Sequence, residues 1–464
     1  MIWLPKLRDM GMATGITQQE KHGADATTAA RPPHEDPHPL PPEESKVELS
    51  YPNKLETGEV LSKVDVEFAS IASDGGLSHE AEIVPNSFVL ADNFFALHGL
   101  IESGVRPSVV YLDPPYGTGM EFHSRQLQHA YKDNRAPAAY LEFMRRRLIL
   151  IREAMAEDGT LYLHIGHQML FHVKAILDEV FGPSNFQNMI VRRKCSSKNF
   201  TRNRYPNIND YILFYSKSQK FKWFQPTEEP EQDWIAKEYN KVDAKGRYKL
   251  VPVHAPGTRR GATGQPWKGK MPPPGKHWQY APEKLDEFDR IGEIHWSKNG
   301  NPRRKVYLGD DKRVPLNDYW SKFRDAHHQS IKITGYPTEK NLEMLRVIVA
   351  SGTEPGDVVL DPFCGSGSTL HAAHDLGRRW IGFDESFTAA ETTIRRLRHG
   401  VQPMGDYVER KAKSEVVDLF SSNGKPNEQK VSHSTSWAAP DFRFLVDNDL
   451  TNAHAKEIER IAKI

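Results

Sequence analysis

Asp113-Pro114-Pro115-Tyr116 follows a short β-rich run, Ser108 to Leu112, and brings a carboxylate, two prolines and a phenol together in four residues. Such a set suits a weak nitrogen nucleophile. The exocyclic amine of a nucleobase has its lone pair delocalised into the ring. A carboxylate and a backbone carbonyl accepting its two N–H bonds would favour the pyramidal form and offset the charge that grows as it attacks a methyl donor. Asp113 can supply the carboxylate, Pro114 the carbonyl and Tyr116 an aromatic face. Pro114 and Pro115 fix the geometry, so little freedom is lost when a base arrives. On an arbitrary chain the same residues read more simply as a turn that ends a strand, since two prolines cannot continue a ladder.

A second cluster shifts that balance. Val358-Val359-Leu360 runs into Asp361-Pro362-Phe363-Cys364-Gly365-Ser366-Gly367-Ser368-Thr369: a strand, a turn with two glycines one residue apart, then a helix. This order lets backbone N–H groups approach a nucleotide-like ligand at a helix N-terminus, although a lone Gly-x-Gly is more often only a tight turn. The Gly-Lys-Ser/Thr of a Walker-type triphosphate cradle is missing. Asp384 ends the next strand, Trp380 to Phe383, where such folds hold ribose hydroxyls; its other reading is a helix cap beside Glu385 and Ser386. The ribose role is preferred because loop and acid occur together. Cys364 reads as a small residue packed in the loop, and Cys195, beside Arg192 to Lys194, as a solvated thiol.

Both clusters need a sheet to hold them. Leu141, Met144, Leu148, Ile149, Ile151 and Met155 recur at helical spacing up to Gly159, Leu161 to Ile165 reads as a strand, and His167 to Phe181 as a helix. Another helix follows Thr338-Glu339-Lys340. Strand and helix alternate, which predicts an α/β fold with parallel strands. Between the halves the composition changes. From Val191 to Lys222 there are nine basic residues and one acid, Asp210, with aromatics between them, and Gly257 to Trp278 carries five bases and no acid. The expected organisation is a disordered leader over residues 1–50, an α/β half over 51–190, an insert over 191–335, a second α/β half over 336–400 and a mostly polar tail over 401–464 with a helix from Thr451.

The whole-chain totals say little by themselves. Lys plus Arg number 62 and Asp plus Glu 61, a net charge of +1, so any polyanion must meet a local patch. A hydrophobic fraction of 38% supports a real core. Two cysteines cannot form a disulfide framework, and the histidines show no ligand spacing with them, so no structural metal is expected. No apolar run reaches bilayer length, and the opening Met1-Ile2-Trp3-Leu4 is cut by Pro5. A cytoplasmic protein is expected, with Met10 or Met12 as alternative starts.

The Asp-Pro-Pro-Tyr segment, the Asp361 to Thr369 segment and their order resemble the β-class amino DNA methyltransferases, over roughly Val89 to Arg398. Tyr336-Pro337-Thr338-Glu339-Lys340 is similar to that class's Pro-Thr-x-Lys segment, with Asn341 in place of the proline usual after the lysine. Asp92 resembles the short acidic motif at the adenosine end of the cofactor pocket. Asn209 to Lys217, and the stretch from Gly246-Arg247-Tyr248 to Trp267 and His277-Trp278, resemble methylation subunits of type III restriction systems.

The resemblance implies a Rossmann-like sheet carrying an inserted target-recognition region, with S-adenosylmethionine as cofactor and double-stranded DNA as partner. Catalysis would rest on Asp113, Pro114, Pro115 and Tyr116. The cofactor would be held by Asp92, Thr338, Lys340, Asp361, Phe363, Cys364, Gly365, Ser366, Gly367, Thr369 and Asp384. Arg192, Arg193, Lys194, Lys198, Arg202, Arg204, Arg259, Arg260, Lys268 and Lys270 would face DNA, mainly its phosphates. An Asp at the head of the catalytic motif goes mostly with adenine N6 in that class. Cytosine N4 is the alternative within the class and a silent DNA-binding module the alternative outside it. A homodimer and a restriction subunit are left open, and the setting implied is bacterial or phage-type.

Overall fold

The computed structural model describes residues 47–116, 121–123, 129–132, 136–195, 203, 205–325, 339–401 and 440–464. Nearly all of the expected leader lies outside these residues, as do Lys198, Arg202, Arg204 and Thr338.

Runs such as Val109–Leu112 and Val358–Asp361 are apolar on both faces, the pattern of strands covered by helices on either side. They sit in the middle of an eleven-stranded sheet. Six neighbours run parallel in the order Thr160–Ile165, Val109–Leu112, Val358–Asp361, Arg379–Asp384, Ser87–Leu90 and Arg443–Asp447. Asn209–Ser216 pairs antiparallel with Thr160–Ile165 and leads to the edge strands Phe186–Arg193 and Tyr319–Trp320. At the other edge lie Phe68–Ile71 and Leu77–Ser78.

Helices cover both faces. Asn93–Glu102, Pro137–Ala154 and Leu170–Phe181 pack on one side through Leu97, Met144, Leu148 and Ile176, against Val110, Leu161 and Leu360. Leu342–Gly352, Ser368–Asp375, Phe387–His399 and Asn448–Ala462 cover the other, where Ile348, Leu370, Ile394 and Ile461 meet Val109, Val359 and Trp380. Pro137 opens its helix at a position whose N–H has no helical partner in any case.

From Val109–Leu112 the chain moves to Thr160–Ile165, whereas from Val358–Asp361 it moves the opposite way, to Arg379–Asp384. Their carboxyl ends are therefore adjacent at a switch of strand order, the place where open α/β sheets form a crevice.

The insert is drawn more narrowly by the structure than by composition. Phe186–Arg193, Asn209–Ser216 and Tyr319–Trp320 all belong to the central sheet. The part with its own architecture has a four-stranded sheet, Lys241–Asp243, Gly246–Pro252, Pro302–Tyr307 and Ile294–Trp296 in that order, and a hairpin of His254–Pro256 with Lys276–Trp278. It packs on a separate small core of Val253, Trp267, Trp278, Leu285, Phe288 and Ile294. The expected polar tail also holds more than a helix, since Arg443–Asp447 fills a place between Ser87–Leu90 and Phe68–Ile71. Among the described residues no helix is long and apolar enough to cross a membrane.

Candidate active site

Asp113 leaves the sheet directly after Val109–Leu112, with Pro114 buried behind it and Tyr116 half-buried. The Tyr116 hydroxyl donates to Asp113 Oδ1 at 2.9 Å. Burial, then the Asp113 charge, push the Tyr116 pKa well up, so it remains a phenol and a donor. Its ring lies against the backbone of Gly166, where a Cβ would come within 3.0 Å of the Tyr116 Cδ2. The Lys340 ammonium pairs with Asp113 Oδ2.

Lys340 is delivered by its neighbours. Glu339 forms a buried pair with Arg396 of the helix Phe387–His399. Asn341 caps Leu342–Gly352 by accepting from Met344 N–H at 3.0 Å, and its amide donates to the Arg324 carbonyl at 3.1 Å. Asn341 is thus a working N-cap.

One strand over, Cys364 N–H donates to the Phe383 carbonyl at 3.1 Å and Gly367 N–H to the Cys364 carbonyl at 2.8 Å, folding the glycine loop tightly. Gly365 and Gly367 hold φ of 51° and 70°, the left-handed region that glycine enters without penalty. Asp384 is tied to this loop. Its Oδ2 accepts from Gly365 N–H and its Oδ1 from Ser386 N–H, both at 2.9 Å, while Ser386 itself caps Phe387–His399. Burial raises Asp384 to about 6, although backbone N–H groups of Ser386, Gly365 and Glu385 oppose the shift. Asp361 is buried beside the loop and raised by that burial to about 7, although the Thr369 hydroxyl and Phe363 N–H oppose the shift. Cys364 is buried, which pushes its thiol up and leaves it a packing residue.

Asp92 caps Asn93–Glu102 and accepts from Arg147 Nη2 at 2.7 Å. Asn93 joins this end to the loop, donating to the Pro362 carbonyl at 2.7 Å while accepting from Arg147 Nε. Phe363 lies with its ring 6.1 Å from that of Phe143.

Residues 108–395 match a family described as DNA methylase, the N6/N4 methyltransferases. The chain is 52% identical over 452 residues to the type II methyltransferase M.EcaI of Enterobacter cloacae, covering 97% of this chain and 98% of that one. This chain belongs to the N6/N4 DNA methylase family. It is also 26% identical to the type III Mod subunit StyLTI of Salmonella typhimurium, over 67% of this chain and 52% of the relative. To the type II methyltransferase M.KpnI of Klebsiella pneumoniae it is 26% identical, over 62% and 76%.

The DNA methylase takes its methyl group from S-adenosylmethionine, and the residues present fit that cofactor. The glycine loop turns at the carboxyl edge with no Cβ at its two tightest positions. Asp384 accepts backbone N–H groups of the loop and of the following turn and stands at the carboxyl edge, where its carboxylate suits a ribose hydroxyl.

Of the DNA-facing expectations, Arg192 is overturned. It is 0% exposed and bridges Asp210, at 3.3 Å, and Asp325. Buried guanidinium needs such partners, which a phosphate-binding residue would not have. Arg259 and Arg260 are exposed, Arg193, Lys194 and Lys270 half-buried, and Lys268 pairs with Asp289. Cys195 is buried rather than solvated. Several of the interleaved aromatics are core: Phe214, Tyr215, Trp267 and Trp278 are buried, whereas Tyr205, Trp223 and Phe224 are exposed.

The methylase also has a buried polar wall that sequence reasoning missed. His164 Nδ1 lies 2.8 Å from the Tyr111 hydroxyl, and its Nε2 lies 3.0 Å from Asp210 Oδ2. Its ring centre is 6.1 Å from that of Tyr116. Burial lowers the His164 pKa although Asp210 opposes it, so the imidazole is neutral, with its proton best placed on Nε2 toward the carboxylate. Burial works against the Asp210 charge, but His164, Arg192 and Lys340 outweigh it and hold that carboxyl below the usual range. Two signals were present: a histidine inside the apolar run Leu161 to Ile165, and one acid among nine bases.

Proposed function

We propose that this DNA methyltransferase modifies adenine N6 of a flipped-out base in duplex DNA at a specific site. The observation that carries the reading is an aspartate at the head of the Asp-Pro-Pro-Tyr motif, at the switch point and one strand from the glycine loop. When bound, S-adenosylmethionine supplies an electrophilic methyl on its sulfonium. Extruding a base costs a few kcal/mol, roughly. Tyr116 offsets part of that by stacking, and the Asp113 carboxylate and the Pro114 carbonyl accept the two amine N–H bonds. Asp113 then carries the electrostatic load as positive charge develops on nitrogen. Asp384, Asp361 and the loop Phe363 to Thr369 hold the cofactor, with Asp92 at its adenosine end. No covalent enzyme intermediate is needed, in keeping with the inert Cys364 thiol.

Arg259, Arg260 and Lys270 of the insert, with Arg193 and Lys194 near its junction, support binding to phosphates. The near full-length likeness to a type II methyltransferase supports an enzyme that works without an obligatory nuclease subunit. The family spans both N6 and N4 chemistry, so cytosine N4 is the second reading.

Incubating the protein with duplex DNA and methyl-labelled cofactor, then digesting to nucleosides, separates the two. Label in N6-methyladenine is expected; label in N4-methylcytosine moves the substrate, and no transfer despite cofactor binding sinks the enzyme reading. Asp113→Ala should lower turnover by about a thousand-fold or more, the scale of losing a charge-stabilising group, while the protein still melts as a folded chain.

A further inference from the structure

Lys340 occupies the position that a substrate amine would need. Tyr116 already fills Asp113 Oδ1, and the Lys340 ammonium pairs with the remaining oxygen, Oδ2. The same ammonium lies 5.8 Å from the centre of the Tyr116 ring, over the aromatic face where a base would stack. An N–H donor thus meets the carboxylate and the ring together, as an aminated base would. Its delivery is built into the fold, because Glu339 is anchored by Arg396 and Asn341 by its cap, one residue to either side.

We infer that Lys340 is a positioning residue that stands in for the target amine in the free enzyme. It satisfies Asp113, whose side chain is only 16% exposed, and keeps the carboxylate aimed while no base is present. It yields its place to a base that brings its own donor. A base without an amine leaves room for the ammonium and gains nothing at Asp113. The inference rests on Asp113 being the amine acceptor.

The test uses the full-length protein without cofactor and duplexes carrying the motif found methylated in host DNA, with either adenine or purine at the target position. Purine is adenine without its 6-amine; for a cytosine target the pair becomes cytosine and pyrimidin-2-one. Affinities are measured by fluorescence anisotropy. In the native protein the amine must displace the ammonium, so the preference for the aminated base is compressed. In Lys340→Met, which keeps the length and loses the donor, the preference should widen by about two- to five-fold, the span of a part-exposed ion pair. Lys340→Arg keeps the pair and should keep the native ratio. The loss of one positive charge near a polyanion weakens both duplexes alike and cancels in the ratio. If Lys340→Met does not accumulate as folded protein, judged by its thermal melt, Lys340→Ala carries the same expectation. A ratio unchanged or narrowed by removing the ammonium overturns the role of Lys340 while leaving methylation intact. Host DNA without any methylated motif overturns both.

Discussion

Asp361 and Asp384 are held at about 7 and about 6 by burial. In the unfolded chain an aspartate titrates near 4, roughly. Below that both states hold the protons. Above it the folded protein bears a growing cost for ionising the buried groups, so their contribution to stability is lost as pH rises through the folded values. A ligand hydroxyl donating to Asp384 acts in the opposite sense, since it favours the carboxylate. Affinity for S-adenosylmethionine should therefore rise as pH rises through about 6, measured by calorimetry from about pH 5 to 8. Asp384→Asn should bind more weakly and lose the lower step; a native profile flat through that range would remove Asp384 from the cofactor site. At this scale the sequence showed the motif residues themselves, because their chemistry depends on neighbours in the chain. The link from Lys340 to Asp113 was not legible, and the wall of Tyr111, His164 and Asp210 showed only as two residues out of keeping with their neighbours, because their joining depends on strand register and on segments far apart in sequence.

Among the elements, the alternation of strand and helix was readable because each parallel strand is a short apolar run bounded by turn residues. Arg443–Asp447 was not: Arg-Phe-Leu-Val-Asp is five residues long and follows a long polar stretch, so periodicity has nothing to act on. Its identity as a strand comes from pairing with Ser87–Leu90 and Phe68–Ile71. Leu445 is fully buried there, between strands on both sides and beneath helices. Leu445→Ala should destabilise the fold by about 2–5 kcal/mol, read from denaturant unfolding, as expected for a core leucine. A cost below about 0.5 kcal/mol, typical of a surface site, would mean that this strand is peripheral. The insert boundary failed for a related reason. Basic composition marks a surface property, yet Ile190 and Arg192 of Phe186–Arg193 and the run Ile212 to Ser216 of Asn209–Ser216 are buried in the sheet among those bases.

For the whole molecule the balanced charge of +1 hides a division between bases that face solvent and bases committed to internal pairs. The slope of DNA affinity against salt separates them, because it counts phosphates neutralised. Arg259→Ala and Arg260→Ala should each reduce that slope by about one and leave the melting temperature unchanged. Arg192→Ala should leave the slope alone and cost about 3–5 kcal/mol of stability, since it strands buried Asp210. A smaller salt slope in Arg192→Ala would return that residue to the DNA surface. The central sheet adds a constraint of another kind, tied to the direction of protein synthesis. Phe68–Ile71 leaves the ribosome early, yet its place in the sheet is set by Arg443–Asp447, and so is the outer side of Ser87–Leu90. Until translation has passed Asp447, nascent chains carry two unpaired strand edges toward one side of the sheet, open to pairing with other chains.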